Sequence, residues 1–215
     1  PGSVFKPFIY SAALEKGINA ASLVNDAYLY ITAKELGSNE NVEPQNYNEK
    51  FSGPIRLREG LALSKNLVAI RVLKNIGAGY AQDYITRFGF DAKKHPPYLS
   101  MALGVGQATP LEVPSAYGVY ANGGYLKKPY FIDKIIDSKG RKVKRSTALF
   151  NQETPRVIDP RNAFIMTDML KEVINSGTAK KAKRLNRSDI AGKTGTTNDQ
   201  YDAWFAGYNP DIVTI

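Results

Sequence analysis

The order of two hydrophobic periodicities constrains the fold of this chain more than any other feature. Apolar residues with helical spacing fill most of the first 124 positions and recur over 159–177, whereas strand-like runs close the chain. No internal repeat interrupts this order. Helices and strands that are segregated in this way pack as separate layers. The sequence therefore predicts one continuous unit of the α+β class, a helical cluster packed against an antiparallel sheet.

Five helices are predicted from apolar spacing and from the residues that start and stop helices. Phe5, Phe8 and Ile9 begin an apolar stripe in the first helix, and Pro7 is tolerated in its opening turn. Thr109-Pro110-Leu111-Glu112 combines an N-cap, a proline at the first helical position and the acid of a capping box. The predicted helices span 3–17, 57–77, 81–88, 109–123 and 159–177.

Five strands are also predicted, two joined by a hairpin-like turn at 138–140 and two by Asn209-Pro210. The chain stops inside a β-branched apolar run at 212–215 and begins one turn before a helix. We interpret it as a fragment that is truncated at both ends. The predicted strands span 125–136, 142–150, 189–197, 203–208 and 211–215.

Charge and the scarcity of metal-binding side chains narrow the possible functions. Lys and Arg number 29 against 20 Asp and Glu, so the formal charge is +9 and anionic partners are favoured. There is no cysteine, and the one histidine, His95, lies in Lys93-Lys94-His95-Pro96-Pro97, a pattern typical of an exposed loop. These residues predict no metal site and no serine–histidine triad. No apolar run reaches the roughly 18 residues of a membrane-spanning helix, which predicts a soluble chain.

The first candidate for chemistry is a serine and a lysine at the start of the first helix. Ser3 and Lys6 would lie on one side of that helix, away from the apolar stripe. A serine hydroxyl needs a base, and Lys6 supplies one only if burial or a second cation lowers its pKa. Backbone N–H groups at the helix start would stabilise an oxyanion. A capping serine beside a solvated lysine is the alternative interpretation.

Two further polar clusters stand in apolar surroundings. Ser64-Lys65-Asn66 places a hydroxyl and an amide inside a predicted helix, where two helix-surface groups are the simpler interpretation. Lys193-Thr194-Gly195-Thr196-Thr197 lies on a predicted strand, with Thr194 and Thr196 facing opposite to the other three. The glycine would let a ligand approach the backbone closely, as suits an edge strand that binds an extended peptide. A polar, glycine-weakened edge strand is the alternative.

The three clusters together form a known motif set. Each occurs once, in the order S-x-x-K, S-x-N, K-T-G, which is the set of class A β-lactamases and penicillin-binding proteins. Nearly the whole chain resembles the transpeptidase domain of bifunctional class A penicillin-binding proteins. The resemblance implies a penicillin-binding transpeptidase and β-lactamase-like fold, with 1–215 as the domain core and the glycosyltransferase domain and membrane anchor absent. The segments that carry it are 1–8, 101–104, 109–112, 121–124, 192–197 and 202–208.

The resemblance implies a role for each residue of the first two motifs. Ser3 would attack the penultimate D-Ala carbonyl of a peptidoglycan stem peptide, and an amine of a second strand would resolve the acyl-enzyme into a cross-link. Lys6 is the favoured base. Ser64 would relay a proton to the leaving amine, and Asn66 would hold Lys6 and the substrate backbone.

The K-T-G segment is implied to bind substrate. Lys193, Thr194 and Thr196 would hold the terminal carboxylate, and the N–H groups of Ser3 and Thr196 would form the oxyanion hole. Two lysines also suit the site physically, because Lys193 near Lys6 would lower the pKa of Lys6. The implied catalytic residues are Ser3, Lys6, Ser64, Asn66 and Lys193, and the implied substrate-binding residues are Thr194, Gly195, Thr196 and Thr197.

The implied partners are peptidoglycan stem peptides that end in D-Ala-D-Ala, and β-lactam antibiotics, which would acylate Ser3. No cofactor and no metal are implied. The parent protein would be anchored in the bacterial inner membrane and act on its periplasmic face.

Three other functions stay open at this point. A serine β-lactamase shares the motifs, but no E-x-x-L-N segment for its deacylating water lies between Asn66 and Lys193. A penicillin-sensing domain that never transfers its acyl group is distinguished only by the surrounding class A sequence. The charge and the cluster Lys180-Lys181-Ala182-Lys183-Arg184 suggest nucleic-acid binding. Because no aromatic residues interleave that cluster, no specific nucleic acid is expected.

Overall fold

The computed structural model describes residues 1–132, 134–145, 154–196 and 203–215. None of the helices in these ranges is long and apolar enough to cross a membrane. The α-helices are α1 (Lys6–Glu15), α2 (Ala33–Leu36), α3 (Leu57–Ala62), α4 (Asn66–Ile76), α5 (Ala78–Ile85), α6 (Glu112–Ala121) and α7 (Pro160–Asn175). The strands are β1 (Leu23–Asp26), β2 (Gly53–Arg56), β3 (Lys134–Ile136), β4 (Lys142–Arg145), β5 (Ala191–Thr196), β6 (Ala203–Tyr208) and β7 (Val213–Thr214).

The strands form small antiparallel sheets. β1 pairs with β2, β3 pairs with β4, and β5, β6 and β7 form a three-stranded sheet in that order. In the last sheet, Ala191 is opposite Tyr208 and Thr196 is opposite Ala203, so β5 and β6 pair along their full length. Among the described strands β5 therefore lies at an edge, as the sequence predicts.

Helix α1 lies at the centre of the helical cluster. Every residue from Lys6 to Ala13 is buried, and α1 contacts α3, α4, α5 and α7. The sequence predicts that only one stripe of this helix is buried, whereas in the structure all of its faces are buried from Lys6 to Ala13. Lys6 is enclosed by protein as well, and a lysine in such a place needs hydrogen-bond acceptors.

Two helix starts follow local signals in the sequence. Glu112 Oε2 accepts the Thr109 N–H at 2.6 Å, and Thr109 Oγ1 accepts the Glu112 N–H at 3.2 Å, which is the predicted capping box. The Asp159 side chain accepts the Arg161 N–H at 2.8 Å, with Pro160 as the first helical residue. Each cap stabilises its helix by about 1 kcal/mol.

The helix predicted over 57–77 is wrong in its middle. It is two helices, α3 and α4, separated at 63–65, where Ser64 has a φ of 55°. The apolar spacing continues across this break, with Leu61 and Leu67 both fully buried, so the pattern alone predicts one helix.

The strands predicted at the end of the chain are present, whereas the strand predicted over 125–136 is longer than the one observed. β5, β6 and β7 lie within predicted runs, whereas over 125–136 only Lys134–Ile136 is a strand in the described part. The predicted run 142–150 begins with β4, and its part from 146 lies outside the described residues. The sequence does not predict β1 and β2, because each has four residues and Pro54 interrupts the β2 pattern.

His95 is buried, so its predicted place on an exposed loop is wrong. Its ring stacks on Phe5, with centroids 4.7 Å apart and an interplanar angle of 12°. A Cβ on Gly106 would lie 2.0 Å from His95 Nδ1. The surrounding sequence is polar, but apolar contacts from remote parts of the chain decide the burial. Within the described residues neither ring nitrogen has a hydrogen-bond partner, and burial lowers the pKa of His95.

This buried histidine predicts a loss of stability on acidification. Because the pKa of His95 is lower in the folded chain than in the unfolded one, the unfolded state binds more protons. The contribution of His95 to the free energy of unfolding is therefore complete above the ordinary pKa of about 6.5, and it is lost as the pH falls below that value. We expect the melting temperature to decrease between pH 7 and about 5.5. In His95→Phe, which keeps a ring against Phe5, the decrease should be smaller. Equal decreases in differential scanning calorimetry would contradict this.

Candidate active site

Three segments from distant parts of the chain meet at one cavity. They are the 3-10 turn Gly2–Phe5 that precedes α1, the break at 63–65 between α3 and α4, and strand β5. The cavity has a volume of about 1530 Å³. Thr197, one of the residues implied to bind substrate, lies outside the described residues. The site residues predicted from the sequence that line the cavity are Ser3, Ser64, Asn66, Thr194 and Thr196.

Glycines let the backbone around Ser3 pack directly against its neighbours. Gly104 has a φ of +75°, and a Cβ there would lie 2.0 Å from the carbonyl oxygen of Gly2. On the other side, a Cβ on Gly195 would lie 2.8 Å from Val4 Cγ1 and 2.9 Å from Val4 N. The sequence predicts that Gly195 admits a ligand. In the structure it admits the turn that carries Ser3, and its approach to a ligand stays a prediction.

Lys6 reaches from α1 into the break between α3 and α4. Its Nζ donates to the Ser64 carbonyl and to Asn66 Oδ1, both at 2.7 Å, and lies 3.3 Å from Ser64 Oγ. The left-handed backbone at Ser64 interrupts the helix, which frees this carbonyl for the amine. The break that the apolar pattern does not predict therefore supplies the acceptors that the buried lysine requires.

Lys193 reaches the same serine from β5. Its Nζ donates to Ser64 Oγ at 2.8 Å and to the Thr194 carbonyl at 2.9 Å, so Ser64 Oγ stands between two amines. Both lysines are fully buried. Burial lowers the pKa of Lys6 well below its ordinary value, and the charge of Lys193 lowers it further. Burial also lowers the pKa of Lys193, to about 7.

Lys6 Nζ has three polar neighbours within hydrogen-bond distance. Two are acceptors at 2.7 Å, the Ser64 carbonyl and Asn66 Oδ1, and the third is the Ser64 hydroxyl at 3.3 Å. In its neutral form the amine has two N–H donors for the acceptors and a lone pair that can accept a proton from a hydroxyl, as a general base does. Ser3 brings a hydroxyl to the cavity, and within the described residues no hydrogen bond ties that hydroxyl to another group.

The charges of the cavity lining favour an anion. Lys181 lines it, as does Lys65, whose charge Asp26 offsets, and no Asp or Glu lines it among the described residues. Thr178 Oγ1 and Thr194 Oγ1 share a hydrogen bond of 2.5 Å at one wall. In the described part of the chain, no group of three or more acidic or histidine side chains is suited to a metal ion. The site can therefore combine a serine, a buried amine and a binding place for a carboxylate.

The sequence reasoning missed three residues that support the site. Lys65 Nζ and Asp26 Oδ2 form an ion pair at 2.9 Å between two buried side chains, and Asn46 Nδ2 donates to Asp26 Oδ1 at 2.7 Å. The middle position of S-x-N is a signal that could have pointed to Lys65. Asp26 and Asn46 belong to no pattern in the sequence, because they act on the fold around the motif.

The chain is similar to proteins of known family over its whole length. Residues 1–213 match the family model described as penicillin binding protein transpeptidase domain. Penicillin-binding protein 1A of Neisseria lactamica is 54% identical over 216 residues, which cover 100% of this chain and 27% of that protein. Penicillin-binding protein 1A of Pseudomonas aeruginosa is 41% identical over 260 residues, which cover 100% of this chain and 31% of that protein. The chain therefore spans less than a third of the length of either relative.

Solved structures show the same fold. The 2.6 Å crystal structure of penicillin-binding protein 1A from Haemophilus influenzae has a TM-score of 0.89 at 34% identity, and the match covers 96% of this chain and 36% of that chain. The imipenem acyl-enzyme complex of penicillin-binding protein A from M. tuberculosis has a TM-score of 0.77 at 24% identity, covering 98% and 52%. The second likeness shows the fold alone. The predicted α+β fold of the penicillin-binding type is confirmed.

Proposed function

This chain belongs to the penicillin-binding protein transpeptidase family, and on that basis we propose that it is a serine D,D-transpeptidase. It would cross-link peptidoglycan stem peptides through an acyl-enzyme on Ser3. One observation supports this most directly: Ser64 Oγ lies within hydrogen-bond distance of both Lys6 and Lys193, in the cavity that Ser3 also lines. The two lysines and Ser64 supply a proton acceptor and a proton relay in the cavity that Ser3 lines.

The first half of the proposed reaction forms the acyl-enzyme. Ser3 Oγ attacks the penultimate D-Ala carbonyl while its proton passes to the neutral amine of Lys6. The N–H groups of Ser3 and Thr196 stabilise the oxyanion. The carbon–nitrogen bond then breaks, and the proton on Lys6 reaches the leaving D-Ala amine through Ser64 Oγ, 3.3 Å away.

The second half transfers the acyl group. The amine of a second strand attacks the ester carbonyl, and Lys6 accepts a proton from that amine. The carbon–oxygen bond to Ser3 breaks, and the proton returns from Lys6 to Ser3 Oγ. The products are a new peptide bond between strands and the free enzyme. Asn66 holds Lys6 through both halves, because its Oδ1 accepts from Nζ at 2.7 Å.

Recognition of the donor depends on its terminal carboxylate. Lys193, Thr194 and Thr196 would bind it beside the edge of β5 that no described strand pairs with, and a carboxylate next to Lys193 would raise the pKa of that lysine again. β-Lactams would acylate Ser3 because their strained amide resembles the D-Ala-D-Ala end. The parent protein would be anchored in the inner membrane and act on its periplasmic face.

A synthetic donor peptide that ends in D-Ala-D-Ala tests this function. We expect D-Ala release that increases when an acceptor amine is added, with the joined peptide visible by mass spectrometry. With nitrocefin we expect a burst close to one turnover per molecule and slow hydrolysis afterwards. Sustained nitrocefin hydrolysis would instead identify a β-lactamase. Acylation by penicillin without any D-Ala release would identify a penicillin-sensing domain.

A further inference from the structure

One buried residue anchors an otherwise exposed segment beside the cavity. Over residues 32–56 only Asn46 is buried, with 4% of its surface exposed. Gln45, Asn46, Tyr47, Asn48 and Ser52 form one wall of the cavity. An exposed loop is normally fixed by an apolar side chain, whereas a buried amide must have its polar groups satisfied. The partners of Asn46 therefore show what the anchor is attached to.

The hydrogen bonds of Asn46 fix the orientation of its amide. Nδ2 donates to Asp26 Oδ1 at 2.7 Å and to the Lys50 carbonyl at 2.9 Å. Oδ1 accepts the Asn66 N–H at 3.0 Å. An ionised carboxylate only accepts and a backbone N–H only donates, so the reverse orientation of the amide would break these bonds. Asn46 therefore links a buried carboxylate to the S-x-N turn in one defined way.

The segment 45–52, which forms one wall of the cavity, holds Asn66 at two points. Besides the bond from its N–H to Asn46, Asn66 Nδ2 donates to the Gln45 carbonyl at 2.9 Å. With Nδ2 held there, Asn66 Oδ1 faces Lys6 Nζ at 2.7 Å. The ion pair between Lys65 and Asp26 ties the same turn to the same carboxylate. A continuous set of polar contacts thus runs from Asp26 to the proposed base.

We propose that Asn46 is a positioning residue for the acylation step: it holds Asn66, and through Asn66 the amine of Lys6, in the reactive arrangement. This inference rests on the proposed function of Ser3 and Lys6. Without the Asn46 amide, Asn66 loses the acceptor of its N–H, and the Lys65–Asp26 ion pair alone connects the turn at 64–66 to Asp26, so Asn66 and Lys6 are held less tightly. The desolvation that lowers the pKa of Lys6 would then weaken, and that pKa would rise.

The test compares two variants at position 46 with a matched asparagine. Asn46→Ala removes the amide, and Asn46→Ser keeps a hydroxyl beside Asp26 that is too short to reach Asn66 as well. Asn41 lies in the same exposed segment and outside the cavity, where its Oδ1 accepts the Ala33 N–H at 2.8 Å. Asn41→Ala is therefore the control.

Stopped-flow acylation by a fluorescent penicillin separates positioning from binding. We expect the limiting acylation rate to fall about 10- to 100-fold in both position-46 variants, with the Kd of the penicillin changed less than about threefold. The acid limb of the rate–pH profile should move to higher pH, because the pKa of Lys6 rises. Asn41→Ala should stay within about twofold of the unsubstituted chain. Rates are taken per acylated molecule, so a partly unfolded sample does not alter them.

An exchange variant provides a rescue. Asp26→Asn combined with Asn46→Asp keeps one carboxylate and one amide in the cluster, and the carboxylate at position 46 can still accept the Asn66 N–H but no longer donates to the Lys50 carbonyl. We expect the limiting acylation rate of the exchange variant to be at least about fivefold higher than that of Asn46→Ala.

The outcomes separate this inference from the function on which it rests. If the unsubstituted chain is not acylated, the proposed function fails. If that chain is acylated while both position-46 variants keep its limiting rate and its acid limb, the positioning role is overturned and the function stands. An equal loss of rate in Asn41→Ala would also overturn the positioning role.

Discussion

Ser3→Ala will leave the chain without a covalent adduct after incubation with benzylpenicillin. Alanine has no oxygen to attack the β-lactam carbonyl, and the remaining groups of the site cannot replace it. We expect acylation to slow by at least about a thousandfold, as is usual when a nucleophile is removed. Intact-mass measurement is the direct test, because opening a β-lactam ring adds the whole antibiotic to the protein. Peptide mapping should place the adduct of the unsubstituted chain on Ser3.

The same substitution should leave the stability nearly unchanged. The Ser3 hydroxyl makes no hydrogen bond within the described residues, so its removal should alter the free energy of unfolding by less than about 0.5 kcal/mol. Ser115→Ala provides the control, because the Ser115 hydroxyl donates to the Leu111 carbonyl at the start of its own helix, outside the cavity. An adduct that persists in Ser3→Ala and maps to Ser64 would move the nucleophile to the second motif.

Lys6→Met and Lys6→Arg should both slow acylation by about 100- to 10,000-fold, the usual contribution of a general base. Methionine keeps the length of the side chain without a proton acceptor. Arginine keeps a positive charge that does not deprotonate. Comparing the two separates a base from a mere cation. If Lys6→Arg acylated at nearly the normal rate, Lys6 would act through its charge and the base would lie elsewhere.

The pH dependence of the acylation rate is a second test of Lys6 as the base. A base must be neutral, so the acylation rate of the unsubstituted chain should fall as the pH falls through the lowered pKa of Lys6. The acid limb should therefore lie well below the ordinary lysine range and disappear in Lys6→Met. Lys74→Met is the matched control, because Lys74 is half-exposed and pairs with Glu35 at 2.8 Å, outside the cavity.

Local chemistry is the part of the fold that the sequence predicts well. The capping box at Thr109 and Glu112 and the cap at Asp159 depend on neighbouring residues only, and both form; α7 begins at Pro160 as predicted, whereas α6 begins at Glu112, two residues after the predicted first helical position. The last three strands are also predicted, because their apolar runs are bounded by turn residues. In each case the signal and the structure lie within a few residues of one another.

Contacts between remote segments explain the predictions that were wrong. The break at Ser64 leaves a carbonyl that accepts from Lys6, which is 58 positions away. The burial of His95 follows from contacts that include Phe5, which is 90 positions earlier in the chain. Neither partner can be identified from spacing near the affected residue. Periodicity predicts which face of an element is apolar, but it does not identify the remote segment that packs against that face.

The residues of the candidate site also fall into a group that the sequence predicts and a group that it does not. The three motifs identify residues whose functional groups could take part in the chemistry, and the structure brings Ser64 between Lys6 and Lys193. Asp26 and Asn46 hold this arrangement and belong to no pattern of their own. Residues that act by fixing others are chosen for shape and for hydrogen-bond complementarity, so the sequence alone does not distinguish them from ordinary loop residues.

The direct backbone contacts at Gly104 and Gly195 have a consequence for the energetics of recognition. Main chain that packs on main chain has no rotamers to select, so the segment that carries the proposed nucleophile has little freedom left to lose when a partner arrives. A cleft that is preorganised in this way avoids most of the ordering cost of association. Interaction energy from a bound peptide can then be used at the reacting carbonyl instead of shaping the protein.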